Sequence, residues 1–204
     1  MIRWGWLVDD MMKRNLVLAM FALVLLDPAA AHAAEDRVSI GTDSITWVVD
    51  GYSVIASYEN DRQPKLRYHA EVFGIRVPDA YLDDYEPNTG EGWQRSIDWA
   101  VMLTVDHHPF ERLPGLHWGA GFNVQQSTLS REGMTPTTTF ETFEPIVRLG
   151  YQWFPFGEGL FISPYAAVGI PLHLSEPDPI GGETFEEGWL LPVASLQLGW
   201  RFPL

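Results

Sequence analysis

Cysteine is absent from the 204 residues, which excludes a disulfide framework and a lipid-modified N-terminal cysteine. Lysine is nearly absent as well, with Lys13 and Lys65 the only two. Against 13 Lys+Arg stand 27 Asp+Glu, a formal net charge of −14. That balance excludes nucleic acid as a partner, because phosphate binding needs clustered Lys and Arg. The third absence is a long apolar run. Leu16–Leu26 has 11 residues, whereas a spanning helix needs about 20. No later stretch approaches that length, and the mean hydropathy is −0.06. A helical membrane protein is thereby excluded. A closed barrel of strands, whose segments carry only a weak alternating signal, is not.

The beginning of the chain looks like an address label. Lys13 and Arg14 precede the apolar run, and Ala31-His32-Ala33 follows it as an A-x-A cleavage pattern. This is the order of a cleaved secretory signal. It predicts a signal peptide over residues 1–33 and one domain over 34–204, with the mature chain starting near Ala34. The alternative is an N-terminal membrane anchor. Met1–Asp10 holds two tryptophans and two acids, which suits a signal badly, so Met11 or Met12 is a candidate initiator. Residues 1–33 contain three basic and three acidic groups, so the remainder keeps the charge of −14.

What the rest of the chain has in abundance is alternation. Leu116, Trp118, Ala120, Phe122 and Val124 interleave with His117, Gly119, Gly121 and Asn123. Val147, Leu149, Tyr151 and Trp153 interleave with Arg148, Gly150 and Gln152. Similar sets run from Leu160 to Leu172, from Leu190 to Phe202, from Ile97 to Val105 and from Tyr52 to Tyr58. In a strand each set falls on one face; in a helix it would scatter around the axis. In the segment from Leu66, the apolar phase moves from Leu66, Tyr68, Ala70 and Val72 to Phe73, Ile75 and Val77. A β-bulge at Phe73-Gly74 is the expected cause. Val38–Val49 also changes phase, which leaves two readings: a first strand turned by Asp50-Gly51, or a short helix capped by Asp43 or Ser44.

The connections alternate in length. Residues 60–64, 107–115 and 154–159 are short, while 78–93, 127–140 and 173–188 are long and rich in Pro, Gly and acids. Tight turns at one end and long loops at the other are a feature of outer-membrane barrels. Phe110, Trp153, Phe154, Phe156, Phe161, Trp200 and Phe202 gather toward the short-turn end, as an interfacial girdle would. The competing architecture is a soluble β-sandwich or lipocalin-like barrel, with its apolar face inward. Against it, the faces opposite the apolar sets are rich in Gly119, Gly121, Ser163, Ala167, Gly169, Ser195 and Gly199, which suit a narrow interior.

The chain resembles small outer-membrane barrels of the OmpA-transmembrane or OmpX type, on the signal, the alternating segments, the loop asymmetry and the ending Leu196-Gln197-Leu198-Gly199-Trp200-Arg201-Phe202. It departs from them in that Pro203 and Leu204 follow the phenylalanine. The resemblance implies an all-β, antiparallel, up-and-down transmembrane barrel of eight strands in the cell outer membrane. It also implies outer-membrane lipids, lipopolysaccharide and the barrel assembly machinery as partners. The family holds adhesins, anchors, enzymes and narrow transporters, so the resemblance does not choose an activity.

Four constellations could carry chemistry. Glu59, Arg67, His69, Glu71, Asp98, Asp106, Asn123, Arg148, Gln152, Gln197 and Arg201 are expected to face the lumen, either as a paired network or as an ion path. His173 and Ser175 are the closest approach to the His-Ser pairing of a lipid-active enzyme such as a lipid A deacylase or acyltransferase. His107, His108, Glu111 and His117 form a cluster, but adjacent residues of an extended chain point opposite ways. The long loops hold Asp79, Asp83, Asp84, Glu86 and Glu91, then Glu176, Asp178, Glu183, Glu186 and Glu187, where weak divalent cation association is conceivable without a built site. The expectation is a structural or surface-interaction protein without catalytic residue, cofactor or metal.

Overall fold

The structure is a computed structural model, which describes residues 36–79, 81–82, 92–110, 115–157 and 159–204. Residues 1–33, expected to be a signal, and Asp83, Asp84, Glu86, Glu91 and Glu111 lie outside the described residues. The strands are β1 (Arg37–Asp43), β2 (Tyr52–Glu59), β3 (Leu66–Arg76), β4 (Trp93–His107), β5 (Gly115–Arg131), β6 (Thr138–Gln152), β7 (Leu160–Gly169), β8 (Leu172–His173) and β9 (Leu191–Pro203). All pairings are antiparallel, and β9 closes on β1 from Arg37↔Pro203 to Asp43↔Gln197.

The barrel is closed and has eight staves, because β7 and β8 are one stave interrupted in its pairing. The break has a simple cause. Pro145 on β6 and Pro171 between β7 and β8 both lack an N–H, and only Ile170 N–H bridges the gap, donating to the Pro145 carbonyl.

Exposure along β6 alternates without a fault from Thr138 to Gln152. Val147, Leu149 and Tyr151 are 60%, 54% and 47% exposed, while Arg148 and Gln152 between and beside them are 4% and 0% exposed. Apolar side chains face out and charged ones face in. This is the inverse of a soluble barrel. The small residues Gly119, Ser163, Ala167 and Gly169 are all on the buried face, as their size required.

Four sequence expectations need correction. Phe73 and Ile75 do not slip outward; they stay in the inward phase of Arg67, His69 and Glu71 and pack inside the barrel. The extra residue sits on β4 instead, where the register jumps between Ile97 and Trp99 against β5 and between Ile97 and Ala100 against β3. Asp98 is that residue. It points outward and accepts from Thr128 Oγ1 at 2.6 Å, while Ile97 turns inward. Val38–Val49 is neither purely strand nor purely helix: β1 ends at Asp43, which caps a short helix α1 (Ser44–Val48) by accepting from Ile45 N–H at 3.0 Å. Residues 127–131 and 138–140 continue the β5–β6 hairpin, so that connection is only residues 132–137.

The girdle is also smaller than expected. Phe110, Trp153, Phe156, Trp200 and Phe202 are exposed, but Phe154 and Phe161 are 7% and 2% exposed. Phe161 is on the inward phase of β7, and Phe154 lies under the Arg201 guanidinium at 4.0 Å.

Candidate functional site in the barrel lumen

The lumen has two storeys. The lower one, toward the short turns, is built on a single ladder row, Arg67↔Asp106↔Gly119↔Arg148, across β3, β4, β5 and β6. Asp106 accepts from Arg67 Nε at 3.0 Å and Nη2 at 2.6 Å, and from Arg148 Nε at 2.7 Å and Nη2 at 2.6 Å. Gly119 makes this possible: a Cβ there would collide with the Asp106 carboxylate, which reaches across β5 to Arg148. Arg67 Nη1 also donates to Gln152 Oε1 at 2.5 Å. Asp106 is 0% exposed. The expected network is present, but Asp106 alone takes both arginines. Glu71 and Asp98, the other candidate partners, take neither.

Beneath this row, His108 and His117 approach with ring centroids 5.2 Å apart, and His107 lies outside against Trp118. Burial, followed by the nearby Arg67 charge, pushes His108 in the β4–β5 link down to about 4. Among the described residues no group of three His, Cys, Asp or Glu is placed to hold a metal ion. His173 Nδ1 and Nε2 meet Glu176 at 2.9 Å and Glu187 at 2.7 Å, whereas Ser175 Oγ accepts from Glu141 N–H at 2.9 Å. The pair is therefore split between different partners.

The upper storey was not foreseen. A second row, Glu71↔Met102↔Asn123↔Glu144, forms a floor. Above it lies a cavity of about 270 Å³ with walls that include Phe73, Ile75, Ile97, Ile146, Ala167 and Leu191. Its roof is an apolar cluster in which Ile180 and Phe185, from the loop after β8, pack on Trp93, Leu129 and Phe140. Arg95 pairs with Glu187 and Arg131 with Glu183 at 2.5 Å, so the same loop is tied down on both sides.

No family model matches the chain, and no curated protein matches it. Solved structures do resemble it, among them three from bacterial outer membranes. The chain is similar to small outer-membrane β-barrel proteins. A major outer membrane protein from Thermus thermophilus matches with 16% identity and a TM-score of 0.47, over 84% of this chain and 100% of the other. The N-terminal β-barrel domain of Pseudomonas aeruginosa OprF matches with 13% identity and a TM-score of 0.44, over 83% and 98%. Neisserial surface protein A matches with 9% identity and a TM-score of 0.39, over 84% and 96%.

Asp43, Arg95, Gln125 and Glu144 also face the lumen and were missed from sequence. For Glu144 a signal existed. Counting back by twos from Arg148 along β6 gives Ile146, Glu144, Thr142 and Phe140, all buried. Asp43 carried no such signal, because it sits where β1 gives way to α1.

Proposed function

We propose that this chain is an outer-membrane β-barrel with a structural or surface-interaction role, exported by a signal over residues 1–33 and inserted with its short turns toward the periplasm. The observation that carries the reading is the inverted exposure of a closed barrel: apolar side chains cover the outside while arginines and carboxylates are buried within. Only in lipid is that arrangement favourable, since every strand edge is paired and the charged groups are withdrawn. The assembly machinery would receive the mature chain near Ala34, and lipopolysaccharide would surround the acidic long loops.

The lower storey also argues against a conduit. Eight staves leave room for little beyond side chains, and Arg67, Asp106, Arg148 and Gln152 fill that space. In planar bilayers the purified barrel is expected to show no large steady channel. Reproducible porin-sized openings would contradict the closed lumen. An enzyme reading finds less support, because both nitrogens of His173 face carboxylates rather than Ser175.

A further inference from the structure

We infer that the upper cavity is a binding site for a single-chain amphiphile with a cationic, N–H-donating head, such as a long-chain primary amine, and that it opens sideways through the barrel wall. The inference rests on the membrane reading above only for the side from which the chain arrives.

The opening follows from the strand lengths. β9 pairs with β7 up to Leu191, but its pairing with β1 stops at Gln197. Above that point the wall on the β1 side is α1, which covers one carbonyl of the β9 edge: Ser44 Oγ donates to Leu196 O at 2.8 Å. Five consecutive residues, Leu191–Ser195, line the cavity together with Ile45 and Val49 of the α1 segment. A strand shows only alternate residues to a closed lumen; here both faces of β9 border the space, as at the rim of a side opening. Val193, on the inward phase, is nevertheless 43% exposed. A volume of about 270 Å³ sits at the lower end of ligand pockets, roughly 300–1,000 Å³, and suits one chain rather than a lipid with several.

The head group follows from the floor. Asp43, Glu71 and Glu144 all border the cavity, and none forms a salt bridge with a described Lys or Arg. Asp106 shares Arg67 and Arg148, Glu187 takes Arg95, and Glu59 takes Arg201 at 3.5 Å. The three carboxylates receive neutral donors instead: Tyr165 and Ser195 on Asp43, Gln197 on Glu71, Asn123 on Glu144, with His69 Nε2 at 3.5 Å from Glu71. Asn123 Oδ1, in a residue 4% exposed, has no donor among the described residues. Its orientation is fixed because Nδ2 donates to both Gln125 and Glu144. A buried acceptor without a donor is costly, and a carboxyl group in an apolar cavity stays charged only where a counter-charge reaches it. An ammonium head would satisfy both, with its chain along Phe73, Ile75 and Ile146. Arg95 Nη2, higher on the wall, has no acceptor among the described residues, and Glu187 on Nη1 supplies the counter-charge of that guanidinium.

The test is native mass spectrometry of the purified chain from a non-ionic octyl detergent, with dodecylamine and dodecanoate as probes. One dodecylamine per barrel is expected, bound at least about tenfold more tightly than dodecanoate, with Glu144→Gln losing about tenfold, as for one charge-assisted hydrogen bond. Ala167→Trp, which fills the cavity, should abolish the adduct; Val193→Trp, at the half-exposed rim, provides the same block with less demand on packing. Equal or tighter binding of dodecanoate, or an adduct that survives both tryptophan variants, would overturn the site. An outer-membrane barrel without amine adduct overturns this inference alone. An amine-binding chain found outside the outer membrane overturns the membrane reading alone.

Discussion

Asp106→Asn is expected to destabilise the barrel more than removal of either arginine. Two guanidiniums, on Arg67 and Arg148, converge on that one carboxylate with four hydrogen bonds, and all three groups are nearly inaccessible to water. Losing one partner of a buried ion pair typically costs about 3–5 kcal/mol, because the survivor keeps its desolvation penalty. Asparagine leaves two buried cations facing each other without a counter-charge, so the loss should reach or exceed the top of that range. Arg148→Met leaves Asp106 still paired with Arg67 and should cost less. Combining Asp106→Asn with Arg148→Met should recover part of the loss, since one stranded cation remains rather than two. Urea unfolding in lipid or detergent measures all three variants. An Asp106→Asn midpoint equal to that of the parent would place the cluster in water and contradict the filled lower storey.

Loss of the last five residues should have an all-or-none effect. Deleting Trp200–Leu204 removes the β9 partners of Arg37, Val38, Ser39 and Ile40 and the partner of Leu160 on the other side. In lipid each backbone group left without a partner costs several kcal/mol, so a barrel with that edge open should not assemble. The chain is expected to fail to reach a protease-resistant, heat-modifiable form. Deleting only Pro203-Leu204 should be mild, although not silent: Pro203 stands opposite Arg37, and Leu204 N–H donates to the Asp36 carbonyl at 2.8 Å. Phe202→Ala keeps the ladder and loses an exposed aromatic, so it should fall between the two. Normal assembly without Trp200–Leu204 would show that β9 does not close the barrel.

The strands were legible in the sequence wherever the two faces differ in polarity. On β6, Val147, Leu149 and Tyr151 alternate with Arg148 and Gln152, and both the strand and its buried side follow from that contrast. Ten of the eleven residues expected to face the lumen do so, with Asp98 the exception. Alternation fails where both faces are apolar. On β3, Phe73 and Ile75 are as hydrophobic as the outward Tyr68, and period two alone cannot say which side is in. The same ambiguity hid the upper cavity, because an apolar lumen was not distinguishable from an apolar outer surface. The Asp98 bulge is likewise invisible locally; it is defined by two neighbouring ladders, each of which loses register at the same place. The acidic floor was half visible: Glu71 and Asn123 were expected inside, but their meeting with Glu144 depends on the pairing of four strands.

The apolar outer face is the feature on which the membrane role depends, and localisation tests it most directly. Expression in a Gram-negative host, followed by separation of soluble, inner-membrane and outer-membrane fractions, should place the mature chain, starting near Ala34, in the outer membrane. There it should migrate differently before and after boiling. Recovery as a soluble periplasmic protein would contradict it, because the exposed surface of Val147, Leu149, Tyr151 and Trp200 would then be facing water.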